Sequence, residues 1–205
     1  MKAKAKPQVP AKPDEDEVRP QLIQKRGEPS QSKIEICILA GGLGSRMGRD
    51  KSKLRLGRKT FLSHIRSVAQ TLGFPVRVIR RDLVPRCGPL GGIFTALHTT
   101  SADAVLFLAC DMPKVSSTLL GRLVKCQQRH DASVFTSKNG IDGFPFLITR
   151  SALSIVEQLI VQKNYSLQNL SLKIQAKKFR AGNSELININ TPDDLKELKS
   201  SLKNA

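Results

Sequence analysis

The chain has 205 residues, 40% of them hydrophobic, enough for one domain with a substantial core. Its 34 basic and 17 acidic residues give a formal charge of +17, which suits nucleic acid, a polyanionic small substrate or simply a soluble basic surface. Several classes are disfavoured at once. Eight Phe, one Tyr and no Trp leave few stacking platforms for single-stranded nucleic acid, and the basic residues are spread along the chain. No apolar run approaches the ~20 residues of a membrane span, and the lysine-bearing N-terminus lacks the apolar segment of a secretory leader. The scattered cysteines Cys37, Cys87, Cys110 and Cys126 form no C-x-x-C pair, so they read as reduced thiols of a cytoplasmic protein.

In chain order, residues 1–32 are rich in Lys, Pro, Gln and Glu and carry the acidic run Asp14-Glu15-Asp16-Glu17. They predict a disordered basic, Pro-rich extension ahead of one domain over 33–205. An apolar run predicts a buried strand over 34–40. Phe61, Leu62, Ile65, Val68, Ala69 and Leu72 recur at helical spacing, predicting a helix over 60–72 that ends at Gly73. A short strand follows at 75–80, then a helix at 89–99 opening on a Gly-Pro turn. Ala-Val-Leu-Phe-Leu-Ala-Cys makes 104–110 a fully buried strand. Helices are predicted over 116–129, with Ser116 or Ser117 as N-cap, and over 151–162; strands over 132–136, 143–149 and 186–190. Thr191-Pro192-Asp193-Asp194 is a helix start with cap, proline and acids in place, and that helix runs to about residue 202. Continuous apolar strands alternating with helices imply an α/β fold: a three-layer α/β/α sandwich around a mostly parallel sheet.

The first strand runs into Gly41, Gly42, Gly44 and Gly48, followed by Arg46, Arg49, Lys51 and Lys53. Glycine lets backbone approach a ligand closely, loop N–H groups can face an anion, and the cations add charge; a nucleotide triphosphate is the natural occupant. The spacing fits neither the dinucleotide fingerprint, being one residue too long after Gly44, nor the P-loop. The plain alternative is a glycine-rich surface loop. In open α/β sheets ligands sit beyond the carboxyl ends of strands. Four segments fall there: the glycine loop, Arg80-Arg81-Asp82, Cys110-Asp111-Met112-Pro113 and Asn188-Ile189-Asn190. Asp111, at the end of the most apolar strand, has the oxygen chemistry that Mg²⁺ takes, with a simple turn residue as the alternative. Arg46 is a candidate partner of the β- and γ-phosphates on charge grounds, with a surface arginine as its alternative. His64 and His98 lie in predicted helices without a paired acid or cysteine and read as structural, and His130 as an ordinary helix-terminal residue.

Leu-Ala-Gly-Gly-x-Gly-x-Arg-Met-Gly-x-Asp-Lys over 39–51 resembles the nucleotidyltransferases of GT-A-like (Rossmann-like) fold, and among them molybdenum cofactor guanylyltransferase most. Four further segments match that family in order and rough spacing: Asp82 with Gly88-Pro89-Leu90-Gly91-Gly92, Cys110-Asp111-Met112-Pro113, Gly143-Phe144-Pro145, and Asn188-x-Asn190-Thr191-Pro192-x-Asp194. The resemblance covers about 34–200. It implies that Leu39, Ala40 and Gly41 contact a guanine nucleotide, that Lys51 contacts its phosphates, that Asp82 contacts the nucleotide, and that Asp111 does so through Mg²⁺. One departure stands out. The family has a second strand, a loop with a nucleotide-contacting Asn and a third strand where this chain has only 75–80, with Arg77, Arg80 and Arg81 in that vicinity.

The activity implied is transfer of GMP from GTP to the terminal phosphate of molybdopterin, with pyrophosphate leaving and Lys51, Arg46 and Asp111 as the catalytic set. GTP and molybdopterin are the implied partners, with molybdoenzymes or cofactor-carrier proteins as further ones the resemblance allows. Neither membrane nor nucleic acid is expected. The alternatives are a cytidylyltransferase or other nucleotidyltransferase of the same fold, or a degenerate non-catalytic binder of nucleotide or nucleic acid.

Overall fold

The structure is a computed structural model, and it describes residues 33–41, 54–182, 185–189 and 191–203. The extension expected over 1–32, the glycines beyond Gly41 in the first loop, the cations Arg46, Lys51 and Lys53, and Asn190 lie outside the described residues.

The elements in chain order are β1 (Ile34–Leu39), a small hairpin of β2 (Arg55–Leu56) and β3 (Lys59–Thr60), α1 (Phe61–Gln70), β4 (Val76–Ile79), α2 (Pro89–Thr99), β5 (Ala104–Ala109), α3 (Ser117–His130), β6 (Val134–Lys138), β7 (Ile141–Thr149), α4 (Leu153–Val161), α5 (Leu167–Lys173), β8 (Lys177–Arg180) and α6 (Pro192–Lys203). A six-stranded sheet runs β4-β1-β5-β7-β6-β8. Only β7 runs against its neighbours. The mostly parallel sandwich expected from the sequence is therefore present, with helices on both faces.

Strand period explains the layering. Ile34, Ile36 and Ile38 of β1 enter one core cluster with Ile65 and Ala69 of α1 and Leu119, Leu120 and Leu123 of α3. Cys37 points the other way, into a cluster with Leu90, Ile93 and Leu97 of α2, Val156 and Leu159 of α4 and Leu170 of α5. Sheathed on both faces, β5 reads as an unbroken apolar run. Stacking fixes the middle of the sheet, where the Phe135 and Phe146 rings lie 4.4 Å apart, centroid to centroid, and nearly coplanar in orientation.

Caps set the helix ends. The hydroxyl of Thr60 accepts from Ser63 N at 3.1 Å, so Thr60 caps α1 rather than belonging to it. Ser116 does the same for α3. At α6 the capping is reciprocal: Asp194 N donates to Thr191 Oγ1, and Thr191 N donates to Asp194 Oδ2.

Three expectations need correction. The 186–190 strand does not form over its described residues. Leu186 and Ile189 are buried, at 8% and 1% exposed, but through side-chain packing rather than a ladder. Of the two strands expected at 132–136 and 143–149, the first lies two residues later and the second starts two residues earlier, so that they form a hairpin across Asn139 and Gly140, both with positive φ (52° and 79°). That is the geometry the Asn-Gly dipeptide favours. Finally, α5 and β8 fill the stretch 167–180, where no element was expected. The shortened spacing after α1 is matched by the sheet: β4 is its edge among the described residues. Arg77 on this edge strand grips Glu35 of β1 with two bonds of 2.9 Å and also donates to Ala96 O.

Candidate active site

The carboxyl ends of β1, β4 and β5 lie side by side, so the segments that follow them share one rim. Ala40 N donates to Ile79 O at 2.9 Å and extends the β1–β4 ladder one step past the strand. Gly41 comes next. A methyl group on it would stand 3.1 Å from the Arg80 carbonyl oxygen and 3.7 Å from Asp82 Oδ1. On Gly92 it would stand 3.0 Å from Leu39 Cδ2 and 3.4 Å from Asp82 Oδ1. On Gly91 it would meet Asp82 Oδ2 at 2.8 Å and Val84 O at 2.7 Å. The Asp82 carboxylate therefore sits among three glycines and Leu39, against the first turn of α2. Partial burial pushes its carboxyl above the usual carboxylate range.

The opening of α2 suits an anionic neighbour. Its cap is Gly88, at φ 55° and without a side-chain cap bond, and Pro89 occupies the first turn. Leu39, Gly41 and Asp82 are thus brought together as expected. Gly91 and Gly92 belong with them as walls, a role the Gly-Pro-Leu-Gly-Gly run carried without its partner being visible.

Asp111, half-buried, follows β5. Its carbonyl accepts from Ile189 N at 2.9 Å. Ile189 packs with Phe61 and Leu198 in a small cluster, and Ser116 Oγ donates to Glu185 Oε1 at 2.8 Å. The closing motif is thereby clamped onto the Asp111 loop. Met112 and Val115, both core residues, anchor the loop from below. Among the described residues no three His, Cys, Asp or Glu side chains converge on a metal position.

The other half of the rim holds Gly143-Phe144-Pro145. Thr136 pairs with Gly143 and Phe135 with Phe146, so Phe144 and Pro145 are extra residues in a bulge, where a strand tolerates proline. Phe107 pairs with Phe146, which sets the bulge level with the last residues of β5. Asp142, 5% exposed, is ion-paired with Lys178 and also accepts at its backbone oxygen from Gln168 Nε2 at 2.8 Å. Desolvation lowers the Lys178 ammonium below its ordinary pKa.

Arg77 is committed to the β1–β4 seam and is not available to a ligand, whereas Arg80 and Arg81 are exposed at the rim. His98 stacks on Phe94 near the far end of α2. The four cysteines form no disulfide. Burial, with Glu35 adding to it, pushes the Cys37 thiol up to about 12, so it is inert core.

The rim of this doubly covered α/β sheet, with its glycine-walled carboxylate and strand-end aspartate, is the place where open α/β sheets take their ligands. Residues 36–176 match the family model described as the MobA-like NTP transferase domain. A probable molybdenum cofactor guanylyltransferase of Methanothermobacter thermautotrophicus is 30% identical, across 78% of this chain and 96% of the relative. One of Carboxydothermus hydrogenoformans is 29% identical, across 80% and 94%. The crystal structure of molybdopterin-guanine dinucleotide biosynthesis protein A from Archaeoglobus fulgidus shares the fold, with a TM-score of 0.68 at 20% identity over 83% of this chain and all of that one. The chain belongs to the MobA-like NTP transferase family and is a nucleotidyltransferase.

Proposed function

We propose that the protein transfers GMP from GTP to the terminal phosphate of molybdopterin, forming the guanine dinucleotide cofactor and releasing pyrophosphate. The observation that carries this reading is the cradle of Gly41, Gly91, Gly92 and Leu39 around Asp82 on the same rim as Asp111. The names of the relatives support guanylyl over cytidylyl transfer.

The attacking phosphate oxygen is already an anion, so the reaction needs no general base. The protein's work is alignment and charge neutralisation. Leu39, Ala40 and Gly41 line the nucleotide with Asp82. Lys51 and Arg46 hold the phosphates that leave. The bulge at Gly143-Phe144-Pro145 belongs to the substrate side.

Asp111 fits Mg²⁺ by its donor chemistry. It offers a hard carboxylate oxygen on a backbone pinned through Ile189. Mg²⁺ needs only one or two carboxylates and completes its shell with water and phosphate oxygens. Bound there, the ion would neutralise charge on the phosphates. No described helix is long and apolar enough to cross a membrane, and the reading places the reaction in the cytoplasm.

The test is pyrophosphate release by purified protein with Mg²⁺, molybdopterin-loaded acceptor, and GTP or CTP in parallel. Acceptor-dependent release with GTP alone is expected. Release with CTP alone would move the protein to the cytidylyl branch, and release with neither would refute the activity.

A further inference from the structure

The bulge of Phe144 and Pro145 in β7 is held at both ends. After it, Phe146 pairs with Phe107 of β5 and with Phe135 of β6, and the Phe144 ring packs on Phe146 at 4.6 Å between centroids. Before it, Thr136 Oγ1 donates to Gly143 O at 2.9 Å. Asp142, one residue further back, is gripped by two other elements. Its carbonyl accepts from Gln168 Nε2 of α5 at 2.8 Å. Its Oδ2 accepts from Lys178 Nζ of β8, and the same ammonium donates to Ser171 Oγ of α5 at 2.5 Å. The other carboxylate oxygen, Oδ1, is buried with no hydrogen-bond partner among the described residues. A buried carboxylate stays buried only while its charge is answered, and here Lys178 answers it. One lysine thus ties α5 and β8 to the residue that leads into the bulge.

On the reading proposed above, the donor nucleotide lies at the β4–β1 side of the rim and Asp111 follows β5. The attacking and leaving oxygens stand roughly in line across the transferred phosphorus. The sheet order β4-β1-β5-β7-β6-β8 then leaves the side of β7 to the acceptor. We propose that Asp142 and Lys178 are positioning residues for the acceptor: their ion pair, braced by Gln168 and Ser171 of α5, sets the bulge of Phe144 and Pro145 at the height of Asp111. The proposal rests on the reading of this rim as the transfer site. Both residues act through the bulge. Their contribution therefore falls on acceptor binding and not on GTP binding or the chemical step.

The test separates the two substrates. Lys178→Met alone leaves the Asp142 charge unanswered, so it is combined with Asp142→Asn, which removes both charges and keeps the shapes. The double variant is expected to raise the KM for molybdopterin about three- to tenfold, with the KM for GTP and kcat each within about twofold of wild type. Lys178→Arg keeps the charge and should restore most of the loss. Gln168→Ala removes one bond and no charge; it is expected to shift the same KM in the same direction, and it carries the test if the double variant does not fold. Amide hydrogen exchange should quicken over 141–147 in the double variant and stay unchanged over 89–99.

An unchanged KM for molybdopterin overturns the role of the pair and leaves the proposed function standing. An equal rise in the KM for GTP, or exchange quickened as much over 89–99, marks general loosening and also overturns it. No acceptor-dependent pyrophosphate release from wild type overturns the proposed function and this inference with it.

Discussion

Asp82 and Asp111 are two carboxylates on one rim with different surroundings. Asp82 is held above the ordinary carboxylate range by desolvation. Its folded form therefore takes up a proton more readily than the unfolded chain. The stability linked to this group is fully present below the unfolded pKa and is lost as pH rises through the folded one. Asp82→Asn removes that loss. Between about pH 3.5 and about pH 7 the urea midpoint of the variant should therefore rise more, or fall less, than that of wild type, and the same signed change in both would show that Asp82 is not desolvated. Asp111 carries the other prediction at this scale. Asp111→Ala should abolish Mg²⁺-dependent transfer while its thermal midpoint stays within a few degrees of wild type, because the loop is pinned through the Asp111 carbonyl and not only through its side chain. Full activity in that variant would remove the metal assignment.

Two glycines on helices that follow one another in the chain separate space from conformation. Gly91 in α2 has no room: a methyl group there meets Val84 O and Asp82 Oδ2 well inside contact distance. Gly91→Ala should cost about 1–3 kcal/mol and raise the KM for GTP, since backbone has to move away from the cradle. Gly121 in α3 has nothing within 4 Å of the same atom. Gly121→Ala should stabilise the protein by about 0.5–1 kcal/mol with activity unchanged. Chemical denaturation reads both, and a matching sign in the two variants would contradict the packing described.

Which elements were legible follows from how they are covered. Burial on both faces gives β5 an uninterrupted apolar run, and the Gly-Pro start makes α2 readable to the residue, at Pro89–Thr99. The edge strand β8 carries Lys177, Lys178, Phe179 and Arg180, with little buried, so it shows no period to detect. The segment at Leu186–Ile189 misleads for the opposite reason: it is apolar because it fills a gap, not because it pairs. At the site, the glycines and both aspartates could be read from the sequence. The approach of Gly91 to Asp82 could not, since it depends on α2 returning against the loop that precedes it.

At the scale of the whole molecule, positive charge is in large surplus. Residues 1–32 hold seven basic and five acidic residues, so +15 of the +17 resides in the remaining sequence. On the rim, Arg80 and Arg81 are exposed, and in the hairpin that precedes α1 so are Arg55, Arg58 and Lys59. A field of this sign gathers phosphorylated ligands over roughly a Debye length, about 8 Å at physiological salt. The association rate for GTP should therefore fall steeply as ionic strength rises, as stopped-flow binding would show, and a flat dependence would mean that the surplus charge serves something other than substrate capture.

The hydrogen bond from Ile189 to the Asp111 carbonyl bears on how the enzyme comes into being. Asp111 emerges from the ribosome long before the residue that secures its loop. Between the completion of β7 at Thr149 and the arrival of Ile189 the nascent domain has its sheet centre and the Asp111 loop but no latch beneath them. A chain cut short before Ile189 is therefore expected to keep the sheet but lose transfer, which pyrophosphate release from such a variant would check.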